Sequence, residues 1–126
     1  MAFVGAGVGV TPMRALAEGL DYRPGEAIYV ERFRDTTLFA SEIDAIAAQR
    51  GLSVLRLPGS RRGPDSWLGS GIGRADDLTA LLHWIPDVAE RDVYVCGPGP
   101  WTDALSRTLA AAGLPAEQFH LETFAW

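Results

Sequence analysis

Only one cysteine, Cys96, occurs in the 126 residues, so no internal disulfide can form and a reducing, cytoplasmic setting is expected. The two histidines, His83 and His120, lie far from it and from each other, which leaves no metal-ligand spacing. Basic runs are missing as well. Eleven Lys and Arg stand against sixteen Asp and Glu, a net charge of −5, so nucleic acid and anionic membranes find little electrostatic support. No apolar run approaches the roughly 20 residues of a membrane-spanning helix. The N-terminus lacks the basic region of a signal peptide. Internal repeats, low-complexity tracts and a second-domain linker are also absent.

What is present is a 48% hydrophobic chain with modest charge, enough to bury one core, so the whole of 1–126 reads as one domain. Short apolar strands alternate with amphipathic helices, the pattern of a parallel sheet covered on both faces. Strands are expected at Ala2–Val4, Ala27–Arg32, Ser53–Leu57, Asp92–Cys96 and Phe119–Glu122. Helices are expected from Thr11 as N-cap, with Pro12 at the first helical position, to Leu20; from Ser41 to Gln49, stopped by Gly51; from Asp76 or Asp77 to Trp84; and from Trp101 to Ala112, ended by Gly113. Between them Pro58 to Gly73 forms a long Gly-, Pro- and Arg-rich segment of the kind that is functional or mobile.

Two turns carry chemistry. Gly7 and Gly9 follow the first strand and precede a helix, where missing side chains let backbone amides approach a pyrophosphate and the helix N-terminus favours an anion. The dinucleotide fingerprint G-x-G-x-x-G is not met, because Thr11-Pro12 follows. A tight turn that merely tolerates positive φ explains the glycines equally well. Cys96 ends the fourth strand and meets Gly97-Pro98-Gly99 just before a helix. In an open α/β sheet ligands gather beyond the carboxyl ends of the strands, so both turns should open on one edge. A lone cysteine is ordinarily a small buried hydrophobe; the flanking Gly-Pro-Gly predicts instead a thiol at a crevice.

Gly7-Val8-Gly9-Val10-Thr11-Pro12, Cys96-Gly97-Pro98 and Glu122-Thr123-Phe124-Ala125-Trp126 resemble, in order and spacing, the nicotinamide-binding half of the ferredoxin–NADP reductase superfamily. Ala6 stands where many members carry glycine. The resemblance implies a Rossmann-like NADP-binding domain with a five-stranded parallel sheet and helices on both faces. It implies a flavin-binding β-barrel upstream, carrying FAD or FMN, since the Arg-x-Tyr-Ser type motif of that barrel is not in this chain. By position, Gly7, Gly9, Thr11 and Pro12 would border the pyrophosphate and nicotinamide ribose, and Gly97 and Pro98 would shape the nicotinamide pocket. Cys96 and Glu122 would flank the hydride path, and Trp126 would close against the flavin or its barrel.

Ser60-Arg61 follows the third strand, where NADP-using members often carry a Ser-Arg pair for the 2′-phosphate, and Arg62 adds to the local charge. The planar guanidinium fork suits phosphate. Asp65 keeps an NAD-type ribose contact open, but NADPH is the expected cofactor. Arg32 and Arg34 could lie toward the adenine side or be exposed polar caps. Trp101 and Phe124 read as packing.

The function expected from the resemblance is an NAD(P)H-binding domain of a flavin-dependent oxidoreductase. It would present NADPH to a flavin, with electrons passing on to a haem, iron–sulfur, ferric or dioxygen acceptor. The parent would be cytoplasmic or the cytosolic part of a membrane reductase. The isolated domain would be inactive alone. The alternative is a non-catalytic nucleotide-sensing or electron-transfer subunit docked on a flavoprotein; Cys96 and Glu122 weigh against it, because a pure binding module needs neither.

Overall fold

The computed structural model describes residues 1–71, 73 and 75–124. Five strands, β1 (Ala2–Ala6), β2 (Ile28–Arg32), β3 (Ser53–Leu57), β4 (Val93–Pro98) and β5 (Phe119–Phe124), alternate with four helices, α1 (Val10–Gly19), α2 (Ala40–Arg50), α3 (Asp77–Trp84) and α4 (Gly99–Ala111). The strands form one parallel sheet in the order β3-β2-β1-β4-β5, the architecture expected from the alternating pattern.

Strand periodicity sorts the core into two layers. Phe3, Tyr29 and Tyr94 stand in register across β2, β1 and β4. They pack with Val10, Met13 and Ala17 of α1 and Ile43 and Ile46 of α2. The intervening positions, Val4, Val30 and Val95, face the other way. They meet Leu81 of α3, Leu105 and Leu109 of α4, and Trp67 and Leu68. Burying a large apolar side chain contributes roughly 1.5–3 kcal/mol, so both layers are needed to hold a domain of this size.

Two helix ends carry the caps expected of them and one does not. Gly51 closes α2 at φ 68, where a Cβ is unwelcome. Asp76 caps α3 by accepting from the Thr79 N–H at 2.7 Å. Thr11, however, is not an N-cap. The chain leaves β1 directly into a single 3-10 turn over Gly7–Gly9, and the Val10 N–H donates back to the Gly7 and Val8 carbonyls. Helix α1 therefore starts one residue before Thr11, with Gly9 in the capping position. Pro12 still falls in the first turn, where its missing N–H has no helical partner to lose.

The segment after β3 also departs from a loose loop. Arg61 and Gly69 form an isolated antiparallel bridge, and Trp67 and Leu68 are fully buried against α3 and α4. Trp67 meets Trp84 edge to face at 6.1 Å, and its carbonyl accepts from Trp101 Nε1 at 2.9 Å.

Candidate functional site

Strand order reverses between β1 and β4: from β1 the chain moves out through β2 and β3, and β4 and β5 lie on the other side. The crevice beyond that switch point is where an open α/β sheet binds ligands. A cleft of about 480 Å³ lies there, walled by Ala6 and Gly7 at the end of β1, Pro98 and Pro100 at the junction of β4 and α4, Arg32 and Arg34 at the end of β2, and Ser60 and Arg61 after β3. That is within the roughly 300–1,000 Å³ of small-molecule sites. The two motif turns therefore meet on one edge, as their positions in the sequence implied.

Backbone contact explains the glycines. A Cβ on Gly9 would lie 2.2 Å from the Cys96 carbonyl oxygen, and one on Gly97 would lie 2.7 Å from the Trp101 ring. Gly7 turns the chain at φ 57. Closely packed turns leave Ala6, Gly7 and Pro98 as the cleft floor.

The helices that open beside this floor are bare. Neither α1 nor α4 has a side-chain cap bond or an acid in its first turn, whereas α2 carries Glu42 and α3 carries Asp77 and the Asp76 cap. Bare N-termini leave amides and partial positive charge for an anion, worth roughly 0.3–1 kcal/mol each when exposed.

Three arginines line the cleft and no carboxylate does. Arg32 is 5% exposed; its Nη1 donates to the Phe33 and Leu57 carbonyls at 2.7 and 3.3 Å, and its buried Nε has no partner. Burial, and then the charge of Arg61, holds its pKa below the ordinary arginine value. Arg61 donates from Nε to the Ser66 carbonyl at 2.7 Å and from Nη2 to the carbonyls of Pro64 and Pro100, the latter at 2.9 Å. Arg34 is exposed, with no side-chain hydrogen bond or ion pair among the described residues. Arg62 faces away, paired with Asp77 at 3.0 Å. A buried guanidinium with a bare Nε beside a second unneutralised one is the donor set of an anion receptor. The residues fit the phosphate-bearing end of a nucleotide.

Other expected site residues are dispersed. Cys96 is fully buried beside Phe3, Val10 and Met13, not at a crevice. The reason is strand alternation: Cys96 pairs with Gly5 and Glu122 and points to the face that α1 covers. Burial first, and the Glu122 charge second, push its thiol up to about 11, so it is neutral at pH 7. Glu122 is exposed and lines a separate cavity of about 540 Å³ with Pro12, Met13, Tyr94 and His120. Thr11 is exposed on α1, and Gly9 lies beneath the Cys96 carbonyl. Trp126 lies outside the described residues. Asp65 stands away from the arginines, 3.6 Å from Arg107 in a different depression.

Two contributions were not legible in sequence. Trp101 is a cleft wall as well as a core residue, pinned through its Nε1. Glu31 is 1% exposed and accepts the Leu38 N–H at 2.9 Å, holding the loop after β2; burial raises its pKa despite that bond and Arg56. An acid within an apolar strand was the available signal for Glu31. Among the described residues no helix is long and apolar enough to cross a membrane.

The fold and the cleft together define a doubly wound α/β domain with an arginine-lined cleft at its switch point. No family model matches the chain. The ferredoxin reductase component of 3-ketosteroid-9-alpha-monooxygenase from Mycolicibacterium smegmatis is 32% identical over 126 residues, covering 94% of this chain and 32% of that protein. The flavohemoprotein of Pseudomonas aeruginosa is 31% identical over 127 residues, covering 98% of this chain and 32% of that protein. In structure, the FAD/NAD-binding domain of nitric oxide dioxygenase from Vibrio cholerae superposes with TM-score 0.70 at 23% identity, over 98% of this chain and 50% of that one. A cytochrome P450 reductase from Amycolatopsis gives 0.72 at 18% identity, over 98% of this chain and 37% of that one. The chain is similar to one part of ferredoxin reductase components and flavohemoproteins, and its fold is that of the FAD/NAD-binding and reductase structures. It spans about a third of the length of the curated relatives it matches.

Proposed function

We propose that this domain binds NADPH in preference to NADH and presents it to a flavin held by a separate FAD- or FMN-binding domain. The observation that carries the reading is the acid-free arginine cleft between two bare helix N-termini at the β1/β4 switch point. A 2′-phosphate brings about two negative charges, by analogy with other phosphomonoesters near neutral pH. Arg32, Arg34, Ser60 and Arg61 supply donors for it, while Gly7, Pro98 and the start of α4 leave room for the pyrophosphate. Similarity to ferredoxin reductase components and flavohemoproteins supports onward transfer to an iron–sulfur, haem, ferric or dioxygen acceptor.

The bound cofactors supply the redox chemistry, hydride passing from nicotinamide to flavin, and the chain supplies position. Gly9, Gly97 and Pro98 fix the floor on which the nicotinamide end rests. The Cys96 backbone carbonyl packs the β4 turn onto Gly9 while its thiol stays buried beneath α1, and the exposed Glu122 offers an acceptor at the open side. Without the flavin domain the chain is inactive. Calorimetric titration with NADP+ and NAD+ tests the reading. NADP+ should bind at least about tenfold tighter, ~1.4 kcal/mol. Equal affinities would remove the phosphate preference but keep the site. No binding of either would overturn the nucleotide reading itself.

A further inference from the structure

Residues 33–39 join β2 to α2 and bring Phe33 and Arg34 to the cleft. We propose that Glu31 is a positioning residue for nucleotide binding: its carboxylate latches this loop through the Leu38 N–H and holds the cleft wall in its binding form. This rests on the nucleotide reading above and adds to it a residue that touches no ligand.

The first part of the loop is tied to the segment around β3. The Phe33 N–H donates to the Leu57 carbonyl at 3.1 Å, and the Gly59 N–H donates to the Arg34 carbonyl at 3.2 Å. Beyond Arg34 the ties thin out. Among the described residues, 35–38 make one hydrogen bond, from the Leu38 N–H to Glu31 Oε2 at 2.9 Å. Asp35, Thr36 and Leu38 are exposed. Phe39 then enters α2 at φ 57, a conformation that is costly for a residue with a Cβ, so the loop ends under strain. With a strained exit and no other tie, the Glu31 bond decides where residues 35–38 lie.

Glu31 is itself well fixed. It sits within β2, in register with Gly5 of β1 and Arg56 of β3, and is 1% exposed. Its other oxygen, Oε1, has no hydrogen-bond partner and lies 4.0 Å from Arg56 Nε. If Leu38 swung away, a buried carboxylate would be left without a hydrogen bond, which is expensive and favours the latched loop. Glu31, Leu38 and Val8 line a cavity of about 320 Å³ that shares Gly7, Phe33 and Arg34 with the arginine cleft. The loop is therefore a partition between the two spaces. Unlatched, residues 35–38 are free to shift over Gly7 and against the Arg34 side chain, and the fraction of molecules with a formed cleft falls.

Titration calorimetry of the intact chain with NADP+ on wild type, Glu31→Leu and Glu31→Gln tests this, with circular dichroism confirming that each is folded. Glu31→Leu keeps the bulk and removes the acceptor. It should bind NADP+ at least about tenfold more weakly, the loss when the latched form falls to about a tenth of the population. Glu31→Gln keeps an acceptor and should stay within about threefold of wild type. A second measurement uses the wild-type chain alone. If the latch favours binding, binding must favour the latch by the same factor, so saturating NADP+ should slow hydrogen exchange of the Leu38 amide, followed by NMR, by about tenfold. A Glu31→Leu that binds as wild type does, a Glu31→Gln as weak as Glu31→Leu, or Leu38 exchange indifferent to NADP+ would each overturn the latch and leave the nucleotide reading standing. Wild-type protein that binds no nucleotide would overturn that reading and the latch with it.

Discussion

The link from β1 to α1 takes the three residues Gly7–Gly9, while the link from β3 to α3 runs from Pro58 to Asp76. Both wall the same cleft. The short one is shaped by backbone alone: Gly9 sits against the Cys96 carbonyl, and Gly7 bends at φ 57. The long one is shaped by side chains reaching carbonyls and a carboxylate. Arg61 holds three carbonyls, Arg62 and Ser66 hold Asp77, and Trp67 is sunk between α3 and α4. The difference teaches where specificity can vary. A turn locked by backbone contact tolerates little change and gives a generic phosphate floor, whereas a side-chain-braced segment can exchange charged residues without moving the sheet.

The contrast breaks most visibly at Trp67. It is buried, bonds Asp77 through its N–H at 3.0 Å, and gives its carbonyl to Trp101. Trp67→Ala should cost about 3–5 kcal/mol, the range for deleting a buried aromatic, read from urea unfolding. A cost below about 1 kcal/mol would mean that the long segment is not clamped. Gly9→Ala attacks the short turn. Its Cβ would meet backbone rather than a movable side chain, so overpacking should cost about 1–3 kcal/mol or more. A neutral result would show that the β1 and β4 turns do not pack as closely as described.

The same contrast sets what the sequence could reveal. Strand and helix periodicity located all five strands and all four helices, and Gly51 and Asp76 marked ends that the structure keeps. Thr11 misled because Thr-Pro is a familiar helix start, yet the 3-10 turn over Gly7–Gly9 had already begun the helical path. The Gly-rich turn and Cys96-Gly97-Pro98 were legible as partners because parallel strands deliver such turns to one edge. Cys96 was misjudged in orientation: the glycines after it said nothing about which face its Cβ takes, and period-two alternation from Phe3 and Tyr94 decides that. The arginine roles were out of reach. Nothing in Ser60-Arg61 announces that the guanidinium is engaged by the Pro100 carbonyl, a contact between distant parts of the chain.

Glu31 sharpens the comparison at the loop after β2. Its pKa is raised by burial, so its contribution to stability is fully present below the ordinary value of 4.5 and is lost as pH rises through the folded value. Glu31→Gln keeps an acceptor for the Leu38 N–H and removes the charge. Its urea midpoint relative to wild type should therefore improve from pH 4 to pH 7.5. A gap that is constant across that range would mean that Glu31 titrates alike in folded and unfolded chains.

The smallest effect should have the opposite sign from Gly9. Gly63 lies in the long segment, a Cβ there meets nothing within 4 Å, and its φ is outside the left-handed range. Alanine fits that backbone without strain and restricts the unfolded chain, so Gly63→Ala should stabilise by about 0.4–1 kcal/mol. Measured beside Gly9→Ala under the same urea conditions, the pair compares the two walls of one cleft by a single methyl group. Opposite signs would establish that backbone contact constrains the first wall and not the second. Destabilisation at both would mean that the Pro58–Asp76 segment is packed by its backbone too, and that its arginines are less free to vary than the bracing by side chains implies.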